Sequence, residues 1–84
     1  MNNTIVLCVG DTYHLKPGRD RIIYAGMLSD EVYSIVQMKN KITPLGIYGY
    51  GWNLYFKKDR STIRIDEVNI LVEDVTPGEI RIRV

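Results

Sequence analysis

Apolar and polar residues alternate over much of this chain, which is the pattern of β-strands that bury one face. The clearest examples are Trp52–Lys58, Thr62–Ile65 and Ile80–Val84. The short segment Asp59–Ser61 predicts a tight turn that joins the first two of these into a hairpin. Because a terminal strand must be held by pairing, we expect Ile80–Val84 to pair with Thr4–Val9.

Glycine and proline divide the rest of the chain into further short strands. Gly10–Asp11 interrupts the β-rich stretch Thr4–Lys16 and predicts a bulge or a sharp bend. Lys16–Asp20 and Thr76–Glu79 each combine proline with glycine, which predicts tight turns. Two more strands are predicted at Arg21–Ala25 and Val68–Val72.

Two segments are less regular. Ser29–Lys39 fits a helical stripe with Ser29 as its N-cap, but its β-branched and aromatic residues favour a strand, so a short helix is the alternative here. Asn40–Gly51 contains Pro44 and three glycines, and it predicts a long loop, with a short strand inside it as the alternative. Taken together, the pattern predicts a single all-β domain over residues 1–84, built from roughly five to seven short antiparallel strands.

The order of these segments resembles that of SH3-like small β-barrels. The resemblance covers Val9–Leu71 and depends on the segments VGDTYHLKPG, EVYSIV, WNLYFKK and STIRI. It implies a barrel in which Gly10–Asp11 opens the first strand and Pro17–Asp30 forms a long loop. The signature for proline-rich ligands, an acidic loop with paired tryptophans, is missing because this loop mixes both charges and the chain has one tryptophan. That ligand class is therefore not implied.

Composition and charge narrow the class of protein. Hydrophobic residues make up 45% and charged residues 25%, which is typical of globular domains and argues against disorder. The net charge of +1 lacks the basic excess of proteins that coat nucleic acid. The single cysteine, Cys8, cannot form an internal disulfide, which favours a reducing compartment. No signal peptide or bilayer-spanning stretch is apparent, so we expect a cytoplasmic protein without membrane association.

Residues for catalysis are sparse. His14 is the only histidine and Cys8 the only cysteine, so the two cannot complete a metal site with others of their kind. A cysteine in a strand is also more often buried than catalytic. The acidic pairs Asp66–Glu67 and Glu73–Asp74 are neighbours in sequence, and neighbours in a strand point to opposite faces. We therefore expect a non-enzymatic chain with no cofactor and no metal.

Aromatic residues provide the strongest candidate for function. The segment Ile47–Trp52 places three aromatic residues among glycines, and tyrosine and tryptophan dominate protein-binding hot spots. The competing interpretation places Trp52 in the core. We expect a surface that binds a protein partner and is formed by Tyr48, Tyr50, Trp52, Tyr55 and Tyr24.

Two alternative functions remain open. Four basic residues are predicted to point outward from their strands: Lys57, Arg64, Arg81 and Arg83. If those strands adjoin, the four side chains form a basic face for RNA or single-stranded DNA. The simpler interpretation is that these charges alternate along an edge strand and protect it against aggregation. The third hypothesis is a structural subunit that self-assembles through the edge of Ile80–Val84.

The composition also resembles that of a known group of proteins. The short chain, rich in Asn, Ile, Lys and Tyr, is similar to the small accessory proteins of bacteriophages that modulate host machinery. This resemblance implies a host protein as the binding partner.

Overall fold

Eight β-strands make up the fold in the computed structural model, which describes residues 4–16 and 20–84. No helix occurs among these residues, so the all-β prediction and the strand interpretation of Ser29–Lys39 are confirmed, although the strands outnumber the expectation. The strands are β1 (Thr4–Cys8), β2 (Thr12–Lys16), β3 (Asp20–Met27), β4 (Val32–Thr43), β5 (Gly46–Lys57), β6 (Thr62–Ile65), β7 (Val68–Val75) and β8 (Glu79–Arg83).

The strands form two antiparallel sheets of four. The first sheet has the order β1-β8-β7-β6, and the second has the order β2-β3-β4-β5. As predicted, β1 pairs with β8, from Thr4 opposite Arg83 to Cys8 opposite Glu79. Gly10, with a φ of +91°, lies in the predicted bend between β1 and β2 and so directs the chain from the first sheet to the second.

One hydrophobic core lies between the two sheets. In β6 and β8 buried and exposed residues alternate strictly, as the sequence pattern indicates. Full burial of an isoleucine side chain contributes about 1.5–3 kcal/mol, and isoleucine dominates this core. The buried apolar residues are Leu7, Ile22, Tyr24, Tyr33, Ile35, Ile63, Ile65, Ile70, Val72, Val75, Ile80 and Ile82.

The predicted hairpin between Trp52–Lys58 and Thr62–Ile65 is wrong. β5 pairs with β4 and β6 pairs with β7, so the turn at residues 58–61 moves the chain from one sheet to the other. Alternation identifies both strands correctly, but it carries no information about which neighbour each strand chooses.

The predicted loop Asn40–Gly51 is also wrong, because most of it lies in the β4–β5 hairpin. Only Pro44 and Leu45 form the turn. Proline suits the second position of such a turn, and Gly46 has a φ of +141°, which favours glycine. The Thr43 hydroxyl stabilises the turn, since it accepts a hydrogen bond from the N–H of Leu45 (3.3 Å) and donates one to the carbonyl of Gly46 (3.0 Å).

The β4–β5 hairpin is the longest feature of the molecule. Each of its strands has 12 residues, which at about 3.3 Å per residue span about 40 Å, close to the largest dimension of 43 Å. Pairing between β3 and β4 ends at Arg21 opposite Met38. Beyond that point the described part of β4 pairs with β5 alone. We call residues 39–50 the hairpin arm.

The two predicted proline–glycine turns have different outcomes. Thr76–Glu79 connects β7 to β8, and the N–H of Thr76 donates to the carbonyl of Glu79 at 2.8 Å, which confirms the turn. Residues 17–19 of the predicted turn Lys16–Asp20 lie outside the described residues.

Candidate functional site

Three aromatic side chains continue the core-facing side of β5 past the end of the core. Leu54 and Phe56 are half-buried against the core, and alternate residues toward the arm share their face. These are Tyr48, Tyr50 and Trp52, with exposed fractions of 52%, 47% and 40%. We call these three residues the aromatic strip. Trp52 therefore does not fill the core.

Two rings of the strip are stacked. The centroids of Tyr50 and Trp52 lie 5.8 Å apart, with 29° between the ring planes. Offset stacking of this kind adds about 0.5–1.5 kcal/mol beyond area burial. The stacked pair is thus ordered before any partner arrives, which lowers the entropic cost of binding.

Two lysines of β4 lie opposite rings of the strip in the β4–β5 register, Lys39 opposite Tyr50 and Lys41 opposite Tyr48, and Lys39 is ion-paired. The Lys39 ammonium contacts the Asp66 carboxylate at 3.1 Å, and the two side chains are only 27% and 17% exposed. Because Asp66 lies in the β6–β7 turn, this contact also fastens the base of the arm to the first sheet. The Lys39 charge beside the strip is therefore neutralised within the chain.

Further apolar side chains lie exposed at the end of the arm. Leu45 at the tip is 88% exposed, and Ile47, on the face opposite to the strip, is 69% exposed. Large apolar side chains that cluster on a projecting element are typical of interaction surfaces. The arm presents such residues at its tip and on both faces.

Two of the residues predicted for this surface lie elsewhere. Tyr24 is fully buried, and its hydroxyl donates to the Thr76 carbonyl, so its assignment to a partner-binding surface is wrong. Tyr55 is 57% exposed but lies on the other face of β5, because its position has the opposite parity. The structure brings together only Tyr48, Tyr50 and Trp52.

The four predicted basic residues do not form one face. Lys57 lies at the end of β5 in the second sheet, whereas Arg64, Arg81 and Arg83 are exposed on the first sheet. Lys57 instead lines a pocket of about 410 Å³ together with Asp30, Glu31, Lys58 and Asp59. The single basic face is therefore wrong as predicted.

Carboxylates interrupt the arginines of the first sheet. The Nε of Arg83 lies 3.3 Å from Oε1 of Glu73, which also accepts a hydrogen bond from the Thr4 hydroxyl at 2.9 Å. Arg81 lies opposite Asp74 in the β7–β8 register. The surface is mixed in charge, and it is separate from the aromatic strip.

The residues considered for catalysis are dispersed. Cys8 is exposed rather than buried, at the end of β1 in the first sheet, and His14 lies in β2 of the second. Within residues 4–16 and 20–84, no cluster of three or more His, Cys, Asp or Glu side chains is arranged to hold a metal ion. Over the same residues, no helix has the length and apolar character that crossing a membrane requires.

Comparisons with known protein families, with curated proteins and with solved structures gave no match for this chain.

Proposed function

We propose that this chain is a non-enzymatic binding module that engages a protein partner through the aromatic strip. The observation that carries the proposal is the position of Tyr48, Tyr50 and Trp52. All three lie on the core-facing side of β5, yet they are 40–52% exposed. A partner that covers these rings buries them against apolar atoms, as the core does for Leu54 and Phe56 on the same face of β5.

The shape and charge of the arm also support a protein partner. The arm projects from the two-sheet body and carries an exposed leucine at its tip, which suits insertion into a groove. The Lys39 ammonium contacts the Asp66 carboxylate, so the partner does not have to supply a counter-charge for Lys39. We therefore propose a largely apolar groove as the complementary surface.

The nucleic-acid alternative has less support. Binding of single strands combines exposed rings with nearby cations that are available to phosphates. Here Lys39, opposite Tyr50, is paired with Asp66, and Arg81 and Arg83 lie on the other sheet, opposite Asp74 and beside Glu73. Lys41, opposite Tyr48 in the register, is the cation on which this alternative depends. Self-assembly through Ile80–Val84 is contradicted, because β8 lies between β1 and β7 and is not an edge strand.

The resemblance to SH3-like barrels stays a prediction, except that its long loop over Pro17–Asp30 is wrong because Asp20–Met27 forms β3. The resemblance to bacteriophage accessory proteins also stays a prediction. It matters for the choice of partner, since it implies a component of the host cell. The proposal accordingly includes a host protein, and the lysate of the native host is the place to search for it.

A pull-down with matched tyrosine variants tests the proposal. Tyr50→Ala removes half of the stacked pair, whereas Tyr55→Ala removes an equally exposed ring from the opposite face of the same strand. We expect wild type and Tyr55→Ala to capture the same protein, with and without nuclease, and Tyr50→Ala to lose it.

The captured protein is then purified and titrated against the chain. Trp52 is the only tryptophan of the chain, so its fluorescence reports directly on the strip. A shift of its emission to shorter wavelength, with at least about a tenfold weaker dissociation constant for Tyr50→Ala, supports the proposal. Equal binding by Tyr50→Ala, or capture that disappears with nuclease, contradicts it.

A further inference from the structure

The backbone edge of β5 is a second surface, separate from the aromatic side chains. β5 ends the second sheet, and no strand in the described part of the chain pairs with its outer edge. Alternate residues of an antiparallel edge strand direct their N–H and C=O groups away from the neighbouring strand. The 12 residues of β5 therefore offer a long row of unpaired backbone donors and acceptors.

The other edge strands are much shorter than β5. β1 and β2 have five residues each, and β6 has four, including the exposed Arg64. Short length and charge are two of the devices by which proteins keep sheet edges from pairing. These three edges are therefore poor templates for another strand.

β5 lacks the usual protective devices. From Gly46 to Phe56 it contains no charged residue and no proline. Its register with β4 runs without a shift, whereas the β2–β3, β3–β4 and β7–β8 pairs each contain an irregularity. An edge that is long, regular, uncharged and partly apolar is a template for another strand.

We infer that two copies of this chain pair through β5 of each, antiparallel, across a two-fold axis normal to the second sheet. Two identical antiparallel strands are self-complementary, so a single edge supplies both halves of the interface. The result is one continuous sheet of eight strands in place of two exposed edges. This inference goes beyond the proposed function and does not depend on it.

Charge and side-chain parity both fit this self-pairing. With the axis at Gly51, Lys57 of one copy lies opposite Leu45 of the other, so no like charges face each other across the pair. An axis normal to the sheet keeps equivalent faces on one side, which places Tyr50 of one copy opposite Trp52 of the other. The two aromatic strips then form one surface.

Sedimentation equilibrium of the purified full chain tests the inference. We expect the mass to rise from 9.7 kDa to twice that value over concentrations from about 10 μM to 1 mM. Emission from Trp52 is expected to shift to shorter wavelength over the same range. A monomer at every concentration overturns the inference and points to an extended segment of another protein as the occupant of the edge.

Matched variants locate the interface. Gly49→Lys adds a charge near the two-fold axis, and Gly49→Ala is its control, since a Cβ there contacts only the Asn40 side chain at 3.4 Å. Thr62→Lys places the same charge on the β6 edge of the first sheet. We expect Gly49→Lys to weaken dimerisation at least about tenfold and the two controls to leave it unchanged.

Two results of this comparison overturn the inference. One is a dimer that persists in Gly49→Lys, and the other is a dimer that is lost in Thr62→Lys. Circular dichroism confirms that each variant is folded. If Gly49→Lys is unfolded, Ile47→Lys replaces it, because Ile47 is exposed on the same face of β5. Capture of a host protein by a monomeric chain leaves the proposed function standing while the dimer fails, so the two failures are distinguishable.

Discussion

Tyr24 and Tyr33 lie side by side in the core, with ring centroids 6.5 Å apart and 55° between the ring planes. Among the described residues only the Tyr24 hydroxyl has a hydrogen-bond partner. The Tyr24 hydroxyl donates to the Thr76 carbonyl at 2.5 Å and so joins the second sheet to the β7–β8 turn of the first. The Tyr33 hydroxyl is buried and has no hydrogen-bond partner within residues 4–16 and 20–84. The two rings are both buried, but their hydroxyl groups affect the free energy of unfolding in opposite directions.

Replacing each tyrosine by phenylalanine separates these contributions. Tyr24→Phe leaves the Thr76 carbonyl without its donor, and we expect the free energy of unfolding to fall by about 1–3 kcal/mol. Tyr33→Phe removes a buried hydroxyl that has no partner, so the free energy of unfolding is expected to stay the same or rise by about 1 kcal/mol. Urea denaturation measures both, and a larger loss for Tyr33→Phe than for Tyr24→Phe would contradict the assignment.

Alkaline pH provides an independent test of the same pair. Burial, and secondarily the nearby charge of Tyr24, raises the pKa of Tyr33 from 10.0 to about 12. Since the folded chain then holds this proton more tightly than the unfolded chain, the associated stability is complete below pH 10 and is lost as the pH rises toward 12. The expected slope is at most about 1.4 kcal/mol per pH unit. Burial also raises the pKa of Tyr24, so the titration of Tyr24 lowers stability at alkaline pH in the same direction.

The control for this slope is Tyr33→Phe, measured by urea denaturation at a series of pH values between about 9 and 12. The variant is expected to lose much of the decline and to keep the part that comes from Tyr24. A decline of equal steepness in wild type and variant would show that Tyr33 does not carry it.

Strand positions were largely predictable from the sequence, whereas strand partners, apart from the β1–β8 pair, were not. The alternation in Thr62–Ile65 and Ile80–Val84 reappears as alternate burial in β6 and β8, because a period of two is enough to define which face is buried. The connection at residues 58–61 looks like a hairpin turn but moves the chain between sheets. Local pattern cannot distinguish these outcomes, since the pairing is decided by residues far away in the chain.

The sequence predicted the residues of the aromatic strip, but not that they lie on one face of a β-strand. Pro44 and the glycines at 46, 49 and 51 suggested a loop, although only Pro44 and Gly46 serve the turn. The period-two spacing of Tyr48, Tyr50 and Trp52 was the available signal for a strand. Tyr24 was included in the predicted surface, but it is buried. Its burial follows from the packing of two sheets, which composition does not reveal.

Strain in the β6–β7 turn leads to a stabilising substitution. Asp66 and Glu67 both have positive φ, +51° and +67°, a conformation that is unfavourable for residues other than glycine, asparagine and aspartate. An Asp–Gly pair suits such a turn, so Glu67→Gly is expected to raise the free energy of unfolding by about 0.5–1 kcal/mol. Asp66→Gly is the contrasting variant, because it also removes the ion pair with Lys39. Thermal unfolding measures both, and a lower midpoint for Glu67→Gly would show that its backbone is not strained.

Two glycines on the same face of β5 differ in how closely β4 approaches them, which allows a test of the arm itself. A Cβ at Gly51 would lie 2.8 Å from the Gln37 carbonyl oxygen and would also meet the Met38 sulfur, and the backbone at Gln37 cannot move aside as a side chain can. We expect Gly51→Ala to lower the free energy of unfolding by about 1–3 kcal/mol and to disturb the near-ultraviolet dichroism of the adjacent Trp52. Gly49→Ala is expected to change stability by less than about 0.5 kcal/mol, since the nearest atom is 3.4 Å away on a flexible side chain. Equal losses in the two variants would mean that the close approach of β4 at Gly51 does not shape the arm.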